Sequence, residues 1–179
     1  MSASRRSYRY VGPEHLRAAV QPGDGGTAIR TAAEFTFWAA ARNGEELAEP
    51  FTFVVAMDGV LRLAPRRSEH VSCAGGKQVL SAGEMAFHSE AGRWAAEETS
   101  NQSTGYCPDA ASWPAVAHAL DQVGLEHPDR FTHEVVFRRC PDCQEHNIVR
   151  EGYFVCVFCD ADLPQLWNVD PDPEDPEPS

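Results

Sequence analysis

Four cysteines in the C-terminal part of the chain form two Cys-x-x-Cys pairs, Cys140/Cys143 and Cys156/Cys159. Two residues between paired cysteines let both sulfurs reach one ion, and the twelve residues between the pairs let the chain go out and return. Four thiolates at about 2.3 Å from a Zn²⁺ ion complete a closed tetrahedron. The spacing therefore predicts a structural metal site with Zn²⁺ as its cofactor, and iron held by the same four sulfurs is the alternative.

Other interpretations of the four cysteines are weaker on chemical grounds. Paired Cys-x-x-Cys motifs in a cytosolic chain indicate metal binding more often than a disulfide. Two redox dithiols would require a strand-to-helix context, which the sequence does not have. A site filled by four sulfurs has no open position for water, so the metal is expected to stabilise the fold rather than catalyse a reaction. His146, between the pairs, is expected to be exposed rather than a ligand.

The stretch between the pairs, "NIVREGYFVCV", is rich in β-forming residues on both sides of Glu151-Gly152. It predicts two strands joined by a turn at that dipeptide. With its cysteines, this segment of about 25 residues resembles the zinc-ribbon family. The resemblance implies a small metal-stabilised module of the kind that often serves for docking.

A second group of chemically capable residues lies between His70 and Pro108, a glycine-punctuated segment. Strand-end histidine, carboxylate, amide and hydroxyl groups that converge in one pocket would suit general acid–base catalysis or capture of a polar ligand. The candidates are His70, Glu84, Asn101, Ser103 and Tyr106.

Each of these candidates also has a purely structural interpretation. Glu84 can be an exposed strand residue and His70 a solvated loop residue, while "SNQSTGY" can be a turn whose Asn and Ser side chains bond to the backbone. Cys107 is expected to be buried, and neither Cys107 nor Cys73, which would need a base such as His70, is expected to be a catalytic thiol.

The same segment resembles a module of some bacterial toxin and effector proteins and of plant IQ-motif (calmodulin-binding) proteins. The shared residues are His70 and Ser72 before a Gly-Gly turn, Ala82-Gly83-Glu84, and then Asn101, Ser103, Tyr106 and Pro108. Thr104 and Gly105 stand where the module has glycine and histidine. The resemblance therefore implies a common β-rich scaffold rather than a shared catalytic activity.

Local patterns predict the elements that position these residues. Helices are expected over 13–20, 32–42 and 112–124, a hairpin around Asp58-Gly59, short strands between 77 and 100, and a strand leading into the first cysteine pair. The predicted fold class is α+β, a small antiparallel β-sheet or partly closed barrel with flanking helices and a C-terminal zinc ribbon. Three regions are expected: a body over 1–133, the ribbon with a C-terminal anchor over 134–168, and a disordered, acidic, proline-rich tail over 169–179.

Charge and hydropathy restrict the partners. The 179 residues carry a net charge of −12, of which the five acids in the last ten residues supply −5. From Glu134 to Asp162 there are six acids and three arginines, which argues against nucleic acid as the partner. No apolar run approaches the roughly 20 residues that cross a bilayer, and the basic, polar start does not resemble a secretory signal. These features predict a cytoplasmic protein with no membrane partner.

Two function hypotheses follow. The first is a zinc-binding cytoplasmic protein with a binding or adaptor role, whose β-rich body takes a protein or a small polar ligand. The alternative is a small hydrolase or transferase that acts through His70, Glu84, Asn101, Ser103 and Tyr106.

Overall fold

The chain divides between Glu134 and Val135 into two units, which we call the body and the ribbon unit. The computed structural model describes residues 6–170, so most of the predicted acidic tail lies outside the described residues. None of the helices within residues 6–170 has the length and apolar composition needed to span a membrane.

A five-stranded antiparallel sheet forms the centre of the body, with strand order β1-β3-β2-β4-β5. Its strands are β1 Thr27–Ile29, β2 Phe51–Ala56, β3 Leu61–Ala64, β4 Val79–Glu90 and β5 Arg93–Thr99. The predicted antiparallel sheet is confirmed, and across the described residues the sheet stays open rather than closing into a barrel. The α+β fold class is therefore correct.

The turn between β2 and β3 follows from its sequence. The Asp58 carboxylate accepts the backbone N–H of Val60 at 3.0 Å, and Gly59 takes a left-handed φ of 80°. Asp-Gly is a favoured dipeptide for a tight hairpin because glycine adopts positive φ without steric cost. The predicted hairpin around Asp58-Gly59 is confirmed.

Five short helices flank the sheet: α1 Glu14–Ala18, α2 Ala32–Ala40, α3 Gly44–Leu47, α4 His70–Cys73 and α5 Trp113–Val123. A 3₁₀ turn over Ala110–Ser112 leads into α5. The Thr31 side chain caps α2 by accepting the N–H of Glu34, and Gly124 ends α5 with a φ of 81°. Thr31 was the predicted start signal of the helix over 32–42, and Gly124 was the predicted end signal of the helix over 112–124.

The main core of the body lies on the face of the sheet that α2 and α5 cover. Alternate residues of β2, namely Phe51, Phe53 and Val55, belong to this core. Aromatic rings pack against one another in this core: the centroids of Phe35 and Phe87 are 5.0 Å apart, in an edge-to-face arrangement. Thr52 and Val54 are also buried, so the opposite face of the central strand is covered as well.

In the ribbon unit, β6 Val136–Arg139 pairs antiparallel with β7 His146–Val149. The sequence had predicted that the segment of β7 would pair across the Glu151-Gly152 turn, and this prediction is wrong. Residues 150–153 do form a turn, with positive φ at Glu151 and Gly152, but the chain beyond it makes no ladder with β7. The first cysteine pair supplies the hairpin turn instead, because it reverses the chain between β6 and β7.

Candidate metal centre and the polar residues of the body

The ligand atoms of Cys140, Cys143, Cys156 and Cys159 all lie within 4.8 Å of one another. The sulfurs of Cys140 and Cys159 are 3.6 Å apart, as are those of Cys143 and Cys156. Ligands at about 2.3 Å in a regular tetrahedron are separated by about 3.8 Å, whereas a disulfide would need about 2.05 Å. The geometry fits four thiolates around one metal ion, and the four cysteines are unbridged.

The first cysteine pair lies in a tight turn held by the backbone. The N–H of Cys140 donates to the carbonyl of Glu145 at 2.9 Å, and the N–H of Gln144 donates to the carbonyl of Cys140 at 2.9 Å. Gln144 has a left-handed φ of 68°, which allows the chain to reverse directly after the second cysteine.

The second cysteine pair repeats this turn. The N–H of Cys156 donates to the carbonyl of Ala161 at 2.8 Å, and the N–H of Asp160 donates to the carbonyl of Cys156 at 3.0 Å. Asp160 takes a φ of 64°, the counterpart of Gln144 in the first turn. Two equivalent turns thus deliver two sulfurs each to one point.

The sulfur of Cys156 receives two hydrogen bonds, from the Asn147 side-chain amide and from the backbone N–H of Phe158, each at 3.4 Å. Burial disfavours its thiolate, but these two donors, together with the Cys159 backbone N–H and the Cys143 side chain, outweigh burial and lower the pKa of Cys156 to about 6. The Asn147 side chain also accepts the N–H of Val157 at 2.9 Å, so it links β7 to the second turn. Asn147 was not among the sequence candidates, although a lone amide in a β-rich run beside the cysteines was a signal for it.

The rest of the ribbon unit anchors this centre. Cys140 and Cys156 are fully buried and form a small core with Val149 and Leu163. The buried Arg138 guanidinium donates to the carbonyls of Pro164 and Gln165, which fixes the segment after the second cysteine pair.

The side chains around the four cysteines differ in exposure. Leu163 is buried, whereas Leu166 is 66 % exposed and Trp167 is half-buried. His146, half-buried in β7, lies outside the cluster of metal-ligating groups found in residues 6–170.

The polar candidates of the body lie where the loop after β5 runs beside β4. His70, the first residue of α4, donates from Nε2 to the carbonyl of Gly83 at 2.8 Å. Burial lowers the pKa of His70, although the nearby carboxylates of Glu84 and Glu69 act in the opposite direction. The ring is therefore a neutral donor to a β4 carbonyl.

Asn101, Ser103 and Tyr106 are buried in the loop that follows β5. The Asn101 amide donates to the carbonyl of Pro108 at 2.9 Å, and Ser103 Oγ accepts the N–H of Tyr106 at 3.3 Å. The Tyr106 hydroxyl donates to the carbonyl of Lys77 at 2.7 Å. These side chains hold the loop against the body through backbone groups.

Glu84 is joined to the same loop through its backbone. The N–H of Ser100 donates to the carbonyl of Glu84 at 2.9 Å, and the N–H of Glu84 donates to Ser100 Oγ at 3.3 Å. A Cβ atom on Gly83 would collide with the Ser100 carbonyl, so glycine is required for this close approach. Cys107 is buried as expected, Cys73 is buried as well, and burial raises the pKa of each thiol to about 12.

In comparisons with known proteins, no family model, no curated protein and no solved structure matches this chain. The assignment of the metal centre therefore depends on its own geometry.

Proposed function

We propose that this protein binds one structural Zn²⁺ ion in its ribbon unit and has a non-enzymatic binding or adaptor role. The observation that carries the proposal is the approach of four cysteine sulfurs to within 4.8 Å. The proposed partner is a protein or a small polar ligand. The proposed setting is the cytoplasm, where thiols stay reduced and available to a metal.

A structural role for the metal is supported by the number and burial of its ligands. Four thiolates fill a tetrahedral ion, so no position remains for a water that could be activated. Cys140 and Cys156 are part of the buried cluster of the ribbon unit. A metal bound to both sulfurs would therefore cross-link two residues of that cluster. Metal binding is then coupled to folding of the unit.

The contacts of the polar candidates weaken the enzymatic alternative. Side-chain donors of His70, Asn101 and Tyr106 are each engaged with a backbone carbonyl. Three surface cavities of the body are lined by other residues. These contacts favour a structural role for the candidates over the hydrolase or transferase hypothesis.

The proposal is tested by elemental analysis of the purified protein. We expect one zinc per chain and loss of that zinc in the Cys156→Ser variant, because a buried ligand is removed. Cys107→Ala, which also changes a buried cysteine but lies outside the cluster, should retain one zinc.

Two results would contradict the proposal. A metal-free protein that remains fully folded would remove the structural role of the metal. Iron in place of zinc, with the visible absorption of a ferric–thiolate centre, would overturn the identity of the ion.

A further inference from the structure

A cavity of about 320 Å³ lies at the end of the sheet where the β2–β3 turn meets the C-terminal end of α4. Its volume is at the small end of the range of about 300–1,000 Å³ that ligand pockets occupy. Backbone and side chains from the β2–β3 turn, β3, α4 and the start of β4 form its walls, and Gly25 completes them.

Two cationic side chains line this cavity in a chain whose net charge is −12. Leu61 and Leu63 belong to the main core, so Arg62 between them points to the opposite face of the sheet. Lys77 lies just beyond α4. Neither Arg62 nor Lys77 forms an ion pair with any residue in the described range 6–170.

The other polar groups of the cavity offset these two positive charges only in part. Asp58 is the single acidic residue among the described lining residues, and one of its oxygens is engaged with the N–H of Val60. The Cys73 thiol also lines the cavity, and its raised pKa of about 12 keeps it neutral. The lining therefore carries two positive charges and one negative charge.

Glycine keeps part of the cavity wall open. A Cβ atom on Gly75 would have no neighbour within 4 Å, and one on Gly25 would meet only a carbonyl oxygen at 3.9 Å. A small ligand can therefore approach the backbone at Gly25 and Gly75, which line the same cavity as the two cations.

We propose that this cavity binds the carboxylate or phosphate group of a small organic anion through Arg62 and Lys77. The Arg62 guanidinium supplies a planar pair of donors that matches two oxygens of such a group, and the Lys77 ammonium adds a mobile point charge. This inference rests on the proposed binding role of the body and identifies its ligand class. It does not depend on the zinc site.

The test is an NMR titration of the full-length, zinc-loaded protein with inorganic phosphate and, separately, with succinate. Ionic strength is held constant with sodium chloride. We expect saturable shifts of the backbone amides of Gly25, Gly75 and Lys77, which surround the cavity.

Two variants and one control assign the effect to the cavity. Lys77→Gln should weaken binding about tenfold or more, because a hydrogen bond to a charged group is lost. Its fold is retained, since the Lys77 side chain is exposed and the bond to Tyr106 uses the backbone carbonyl. Arg62→Gln should have a similar effect, and Arg130→Gln, an equal charge change at an exposed site outside the cavity, should have none.

Saturation by phosphate alone identifies a phosphoryl ligand, and saturation by succinate alone identifies a carboxylate ligand. Shifts that do not saturate, or equal weakening by Arg130→Gln, overturn the proposal. Zinc content measured on the same sample distinguishes failure of the zinc-site proposal from failure of the anion-binding proposal. A protein that retains one zinc but binds neither anion contradicts only anion binding by the cavity.

Discussion

At the scale of single residues, Gly83 is the glycine that leaves the least room for a side chain. Its Cα faces the backbone of Ser100, and an added Cβ would overlap the Ser100 carbonyl. We expect Gly83→Ala to lower the free energy of unfolding by about 2 kcal/mol or more, because β4 and the Ser100 backbone cannot separate without breaking the hydrogen bonds between Glu84 and Ser100. Urea denaturation followed by tryptophan fluorescence measures this change.

Gly44→Ala is the matched control for Gly83→Ala. Gly44 is the first residue of α3, and a Cβ there would have no neighbour within 4 Å. We expect this control to be neutral or to stabilise the protein by up to about 1 kcal/mol. Equal destabilisation by both substitutions would show that the contact with Ser100 is not the cause.

Single residues also show where sequence reasoning succeeded and where it stopped. The four cysteines were identified from spacing alone, because two-residue gaps have few other chemical uses. Asn147 was missed, since its partners are a sulfur and a backbone N–H nine and ten residues away. For His70 and Tyr106 the residue types suggested a site, but their partners are backbone carbonyls, which every residue carries and no sequence pattern marks.

At the scale of elements, the two cysteine turns share a left-handed residue directly after the second cysteine, and Asp160 fills this position in the second turn. We expect Asp160→Val to weaken zinc binding at least about tenfold, because a β-branched residue pays an added steric cost at positive φ. Asp160→Gly should preserve or raise the affinity. Competition with a chromogenic chelator measures the zinc affinity, which includes the folding energy of the unit.

Asp160→Asn separates conformation from charge in that experiment. Asparagine accepts left-handed φ well but carries no charge. It should therefore bind zinc almost as tightly as the native chain. If Asn and Val weaken binding equally, loss of the carboxylate rather than backbone strain explains the effect.

The elements of the body were predictable because their signals are local. Asp58-Gly59 specifies the β2–β3 turn, and Thr31 and Gly124 mark a helix start and a helix end. The ribbon hairpin was assigned the wrong partner because two turn signals compete there. The turn at Glu151-Gly152 does form, but β7 pairs with β6 because the chain reverses at the first cysteine pair. A local sequence pattern identifies both turns but does not show which of them joins paired strands.

At the scale of the whole molecule, the two units differ in what stabilises them. The body has a main core of 21 buried residues, dominated by aromatic and aliphatic side chains. In the ribbon unit, the cluster around the candidate metal centre contains four buried residues, and two of these are cysteines of that centre. If the ion were removed, the cysteine thiols in the ribbon cluster would be packed together with no metal bond to hold them. The main core of the body contains none of the four cysteines, so it would lose no bond.

This difference predicts how the molecule responds to removal of its metal. We expect a strong chelator to unfold residues 135–170 and to leave residues 6–134 folded, because small units of this kind depend on metal for folding. In a ¹H–¹⁵N spectrum, amides of β6 and β7 should collapse to unfolded positions and return to their original shifts after zinc is added back, while those of β2 and β4 stay dispersed throughout. Collapse of β2 and β4 at the same chelator concentration would show instead that the body requires the metal, and an unchanged β6–β7 pair would show that the ribbon unit folds without it.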